Sequence, residues 1–146
     1  MRNMKKVIVT VRGSGGLGDG EPVELLTEGK FHNEGGTYVI SYEETGMTGM
    51  EGTTTTVRAE KSRVALMRKG TITSEFIFEE GRKNVSHYAT EYGVFTVGVT
   101  AEQISVSMDD SGGIISVVYS LDFLGNAAVR NEFILTVREV GNEGHN

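Results

Sequence analysis

The sequence predicts an all-β chain: a single antiparallel up-and-down barrel of about 8–10 strands. Three observations carry that prediction. Apolar and polar residues alternate with period two from one end of the chain to the other. Glycine-rich turn signals separate the alternating runs, at Asp19-Gly20, Gly35-Gly36, Lys69-Gly70, Glu80-Gly81, Gly112-Gly113 and Gly125-Asn126. No segment sustains a helical period over the roughly 11–18 residues that would identify a helix. The 20 glycines among 146 residues and the 38% hydrophobic content fit a chain in which only alternate side chains face inward.

Taken in order, Val7, Val9 and Val11 alternate with Ile8, Thr10 and Arg12, marking a strand near 4–12. A glycine-rich loop follows at 13–20, then a run near 23–31 in which the stretch Pro22–Phe31 is also compatible with a helical turn. Tyr38, Ile40 and Tyr42 alternate with Val39, Ser41 and Glu43 over 37–44. Thr53–Thr56 opens a run over 53–60 whose β-branched side chains suit a partly exposed strand. Further runs lie at 63–69, 71–79, 84–90, 94–100 and 103–109, with Thr90–Gly93 the other place for a helical turn. Ile115, Val117, Tyr119, Leu121 and Phe123 define 114–123, and Phe133, Leu135 and Val137 define 131–140.

Short connections make neighbouring strands antiparallel, and the lack of long helices excludes βαβ crossovers. So many twisted strands must roll up to cover their apolar face and protect their edges. A closed barrel fits best, and a two-sheet sandwich ranks second. One barrel domain is expected over 1–140, with a polar, frayed tail at 141–146.

The absence of cysteine excludes disulfides and thiolate zinc sites. The apolar run Val7–Val9 is too short for a signal sequence or a membrane span, so a cytoplasmic protein with no membrane partner is expected. A net charge of −6 with scattered basic residues argues against nucleic acid.

Several motifs tempt and fail. Gly13-Ser14-Gly15-Gly16-Leu17-Gly18 matches GxGxxG, but Asp19, Gly20, Glu21 and Pro22 follow instead of the helix that would receive a pyrophosphate. His32, His87 and His145 are too dispersed for a metal site. His32 sits at a strand end and is expected in solvent. His87 alternates with Val85 and Ala89 and is expected buried and hydrogen-bonded, haem ligation being the lesser reading. The carboxylates pair as Glu43-Glu44, Glu79-Glu80 and Asp109-Asp110 beside turns, where adjacent residues point to opposite faces and a solvated strand end is the expected setting. No GxSxG elbow activates a serine. No catalytic residue, cofactor or metal is therefore predicted, and an enzyme is not expected.

One polar set survives. Tyr42 is in register with Ile40 and Tyr38, Arg68 with Leu66 and Val64, and Tyr119 with Val117 and Ile115. If those faces point inward, two phenols and a guanidinium enter the barrel. A buried Arg68 needs an acceptor, with Glu28 or Glu75 the candidate counter-ions. A structural polar network near the barrel mouth is the competing account of the same residues.

The runs VALMRKGTITSEFIFEEG (64–81) and HYATEYGVFTVGVTAEQI (87–104), preceded by YVISYEE (38–44), resemble the YwiB-like proteins, an uncharacterised bacterial family. The likeness spans roughly Val7 to Val140. Its most specific pieces are Met67-Arg68-x-Gly70, Tyr88-x-Thr90-x-x-Gly93 and Gly113-x-Ile115-x-x-x-Tyr119. The resemblance implies a lipocalin-like or fatty-acid-binding-like calycin barrel and no established activity. It adds Tyr88 to Tyr42, Arg68 and Tyr119 as tentative ligand contacts. The function expected is binding of an anionic or amphipathic small molecule in the barrel mouth. The alternative is a filled barrel that works as an interaction or structural module. A monomer or weak homodimer is expected.

Overall fold

In the computed structural model, residues 4–14, 22–123 and 128–140 are described, and the alternating runs within them fold as ten strands. These are β1 (Lys5–Ser14), β2 (Pro22–Glu34), β3 (Thr37–Glu43), β4 (Thr53–Ala59), β5 (Arg63–Gly70), β6 (Thr73–Glu79), β7 (Lys83–Thr90), β8 (Gly93–Asp109), β9 (Gly112–Asp122) and β10 (Val129–Glu139). Every strand pairs antiparallel with its sequence neighbours, and β1 pairs with β10 to close the barrel. The sandwich is thereby excluded. Most of the 13–20 loop and all of the 141–146 tail lie outside the described residues. Among the described residues no helix is long and apolar enough to cross a membrane.

Two differences from the sequence reading have physical causes. The runs at 94–100 and 103–109 form one 17-residue strand, β8, with a register shift between Ala101 and Gln103. A bulge of that kind lets a strand bend sharply without ending. The two stretches compatible with helical turns are strand β2 and the β7–β8 hairpin turn.

Up-and-down order places the connections after β1, β3, β5, β7 and β9 at one end, the mouth, and those after β2, β4, β6 and β8 at the other, the floor. Directly paired residues share a face, so the registers stack the interior into layers. Nearest the floor run Tyr38, Ala59, Val64 and Phe78. Above them run Phe31, Ile40, Val57, Leu66 and Phe76. These rings and aliphatic groups fill the barrel: Phe76 meets Phe78 edge-on at 6.3 Å between centroids, and Phe78 packs on Tyr119 at 4.8 Å. The next layer toward the mouth is different in kind. It consists of Tyr42, Thr55, Arg68, Ser74 and Tyr88.

The floor is tied shut by polar contacts. Lys5 bridges to Glu139 at 2.7 Å, the Asn33 amide donates to Asp110 at 3.0 Å, and the Ile104 N–H donates to Glu80 at 2.7 Å.

The wall has one weak seam. β6 and β7 pair only at Thr73–Ala89 and Ser74–Tyr88. Below that, β7 side chains replace the ladder: Ser86 donates to the Glu75 carbonyl, and the Asn84 amide donates to the Ile77 carbonyl at 3.0 Å. Outside the seam runs a groove of about 650 Å³, lined by Met67, Lys69, Glu75, Ile77, Val85 and His87.

Candidate functional site

The mouth layer is positioned by alternation alone. Tyr42 is two residues beyond Ile40 on β3, Arg68 two beyond Leu66 on β5, and Ser74 two before Phe76 on β6. Each apolar anchor faces inward and carries its polar successor inward with it. Gly29 on β2 lies opposite Tyr42, where a Cβ would fall 2.7 Å from the Ser41 carbonyl oxygen and 2.8 Å from Val9. The missing side chain lets β2 close against Tyr42.

All four residues singled out from sequence, Tyr42, Arg68, Tyr88 and Tyr119, are buried. Three belong to this layer by register, and Tyr119, its ring packed on Phe78 of the floor layer, is close enough for its hydroxyl to feel Arg68 and Tyr88. The Arg68 side chain is 9% exposed. Its charge reaches the three phenols, partly offsetting the rise that burial imposes on Tyr42, Tyr88 and Tyr119. In each case desolvation is the dominant cause, so all three hydroxyls are held protonated.

The counter-ion is not one expected from sequence. Glu28 and Glu75 are both exposed. Glu44 takes the place instead, its side chain 2% exposed and Oε2 3.8 Å from Arg68 Nε. The alternation that predicts opposite faces for Glu43 and Glu44 is the reason: Glu43 points out and accepts from Thr54, and Glu44 points in. What failed was the assumption that strand β3 gives way to solvent there. The connection 44–52 folds back over the mouth, with Met50 buried, and covers Glu44. Its oxygens accept from the Thr55 hydroxyl at 2.6 Å and the Thr48 hydroxyl at 2.9 Å.

This layer is also where hydrogen bonding fails to close. Arg68 Nε, the Tyr42 hydroxyl and Ser74 Oγ are buried with no well-formed hydrogen bond among the described residues. Tyr42 stands beside Glu44 and Thr55, but its geometry satisfies neither. Buried polar atoms are paired in the great majority of cases, so three orphans in one layer form a cluster that needs a reason. A cavity of about 30 Å³ adjoins Tyr42 and Arg68, but not Ser74, and is lined also by Glu44, Thr48, Met50 and Phe133. That is about the ~30 Å³ that one molecule occupies in liquid water.

The histidines reverse their expected settings. His32 is buried at 9% exposure, its Nε2 2.7 Å from a Glu34 carboxylate that also pairs with Arg58 at 3.1 Å. His87 is exposed on the outer face, because Ser86 and Tyr88 take the inner one. It joins the outer groove, whose lining also includes Arg68 and Ser74 of the mouth layer. Among the described residues no three His, Cys, Asp or Glu side chains are grouped closely enough to hold a metal ion.

Residues 8–135 match the family model described as Domain of unknown function (DUF1934). Among solved structures, the crystal structure of ywiB protein from Bacillus subtilis is similar, with a TM-score of 0.78 over 94% of both chains at 19% identity. At that identity the likeness shows the fold, a calycin-like barrel. None of the curated proteins matches the sequence.

Proposed function

The chain belongs to the DUF1934 family, and we propose that it works as a small-molecule-binding barrel whose mouth receives the anionic group of its ligand. The observation that carries this reading is the trio of buried polar atoms without well-formed hydrogen bonds: Arg68 Nε, Tyr42 OH and Ser74 Oγ. Each can donate, and an oxyanion offers only acceptors, so one anionic group could satisfy several of them at once. The phenols remain protonated and can donate at neutral pH. The filled interior narrows the reading further. Phe31, Phe76 and Phe78 occupy the space a hydrocarbon tail would need, so the anionic part of the ligand is what the barrel holds.

Titrating the full chain with acetate and with inorganic phosphate, followed by amide chemical shifts, tests this. Saturable shifts at Tyr42, Arg68, Ser74 and Tyr88, lost in Arg68→Gln with the fold retained, are expected. Absence of saturable shifts in that layer with either anion, both in the wild-type chain and in Glu44→Gln, which removes the carboxylate charge already beside Arg68, would overturn the reading.

The outer groove of about 650 Å³ supports a second reading, a filled barrel that works as an interaction module. Its size falls within the range of ligand sites, and Val85, which lines it, is 65% exposed. Concentration-dependent shifts confined to Met67, Ile77, Val85 and His87 would favour it.

A further inference from the structure

We infer that Glu44 is a built-in occupant of the anion subsite, and that the ligand which displaces it presents a carboxylate. The inference rests on the binding reading above and specifies it.

The geometry around Glu44 is that of a bound carboxylate. One oxygen accepts from Thr55 and the other from Thr48, at 2.6 and 2.9 Å. Arg68 stands 3.8 Å away, close enough to pair and too far to hydrogen-bond. Protein groups therefore already build a planar, two-oxygen subsite, and a residue of the chain fills it. The fit is incomplete, because Arg68 Nε and the Tyr42 hydroxyl remain orphaned beside it. A free carboxylate is not tethered to β3 and can approach Arg68 at ordinary hydrogen-bond distance. It would satisfy donors that Glu44 leaves unmet, and so has a differential affinity with which to displace it. A planar carboxylate repeats the shape of the side-chain group it replaces, with one oxygen for Thr55 and one for Thr48, and a tetrahedral phosphate does not.

Displacement has a structural consequence. Glu44 is the first residue of the 44–52 connection, and Thr48 of that connection is held by the Glu44 carboxylate. Its far end is anchored independently, by Thr53 N–H to the Met50 carbonyl at 3.1 Å and Thr71 N–H to the Gly52 carbonyl at 3.4 Å. Release of the Glu44 carboxylate leaves Thr48 Oγ1 only its bond to the Thr45 carbonyl. The 45–49 turn keeps its own Thr48 N–H to Thr45 and Gly49 N–H to Gly46 bonds but loosens from the mouth, while the 50–53 end stays in place. The mouth then opens at the side where Thr48 and Met50 line the cavity.

The experiment compares acetate and inorganic phosphate binding to the wild-type chain, Glu44→Gln and Arg68→Gln, by chemical-shift titration. Glu44→Gln keeps the shape of the occupant and removes its charge. Acetate should then bind roughly tenfold tighter or more, the gain expected if the open mouth is about one-tenth populated in the wild type, and acetate should outcompete phosphate. Acetate binding by the variant alone supports the inference equally. If wild-type binding depends on Arg68 but Glu44→Gln binds no tighter, Glu44 is a structural partner; the inference fails and the binding reading stands. If neither anion binds to wild type or variant, the binding reading falls, and the inference with it. Should Glu44→Gln not fold, hydrogen exchange of the wild-type chain decides. Saturating acetate should speed amide exchange over 45–49, and unchanged or slower exchange there overturns the inference.

Discussion

The two ends of this barrel are built from the same strands and finished in opposite ways. At the floor, two-residue turns at 35–36 and 110–111 and side-chain ties from Lys5, Asn33 and Glu80 close a core of fully buried rings. At the mouth, an arginine, two phenols and two hydroxyl-bearing residues face inward, the connection 44–52 lying over Tyr42, Glu44 and Arg68, and three polar atoms of this layer lack well-formed hydrogen bonds. The inward-facing layers at the floor are apolar, whereas the mouth layer holds three of the buried polar atoms without a partner; His32 Nδ1, on the outer face near the floor, and Asn131 Oδ1 are the others among the described residues. Burial without pairing costs stability, so the difference marks the floor as the end that holds the fold and the mouth as the end free to carry function.

The largest expected effects test that division. Phe78→Ala at the floor removes a ring packed on Tyr119 and Phe76, and should cost about 3–5 kcal/mol in urea unfolding. Met50→Ala at the mouth should cost less, below about 2 kcal/mol, because its connection can settle into the vacated volume. Equal costs at the two ends would break the comparison.

Alkaline pH sharpens it next. Tyr42, Tyr88 and Tyr119 all have folded pKa values raised above the ordinary 10.0, chiefly by burial. The stability they contribute is fully present below pH 10 and is lost as pH rises from there through the folded values. Each phenol can contribute a slope of up to about 1.4 kcal/mol per pH unit. Urea midpoints should therefore fall above pH 10, and tyrosinate absorbance from these three should appear together with unfolding. Ionisation of all three in the folded protein near pH 10 would show that the layer is wetter than its burial implies.

The fold was legible because period two is a dense signal, repeated on nearly every strand and punctuated by glycine. The site was legible in part for the same reason. Tyr42 and Arg68 extend inward-facing series that begin with Tyr38 and Val64, and alternation needs no tertiary knowledge to extend them. The same series contains Glu44, two residues past Tyr42, and Ser74, two before Phe76. As one of an adjacent carboxylate pair beside a turn, Glu44 reads from sequence as a solvated strand end, and a turn signal says where a connection begins but not what it folds over. Choosing Glu44 as the acceptor for Arg68 required the pairing of β3, β4 and β5, and that is long-range information. The histidines failed for a related reason. His32 is buried by Glu34 and Arg58 packing on the outer face, a contact between strands that no local period encodes.

The smallest predicted effects discriminate most finely. Ser74 and Ser86 are both buried serines on neighbouring strands, one in the mouth layer and one on the seam. Ser86 donates to the Glu75 carbonyl where the β6–β7 ladder has lapsed, so Ser86→Ala leaves that carbonyl without its side-chain donor and should cost about 1–2 kcal/mol. Ser74 Oγ has no hydrogen-bond partner among the described residues, so Ser74→Ala removes a desolvated hydroxyl and loses no bond. Its stability should stay within about 0.5 kcal/mol of wild type, or rise. Acetate and phosphate affinity should nevertheless fall in Ser74→Ala and hold in Ser86→Ala, since only the first donor belongs to the mouth layer. If the two substitutions cost the same in urea unfolding, Ser74 is as well bonded as Ser86. The mouth would then be satisfied like the rest of the barrel, and the contrast on which the binding reading rests would disappear.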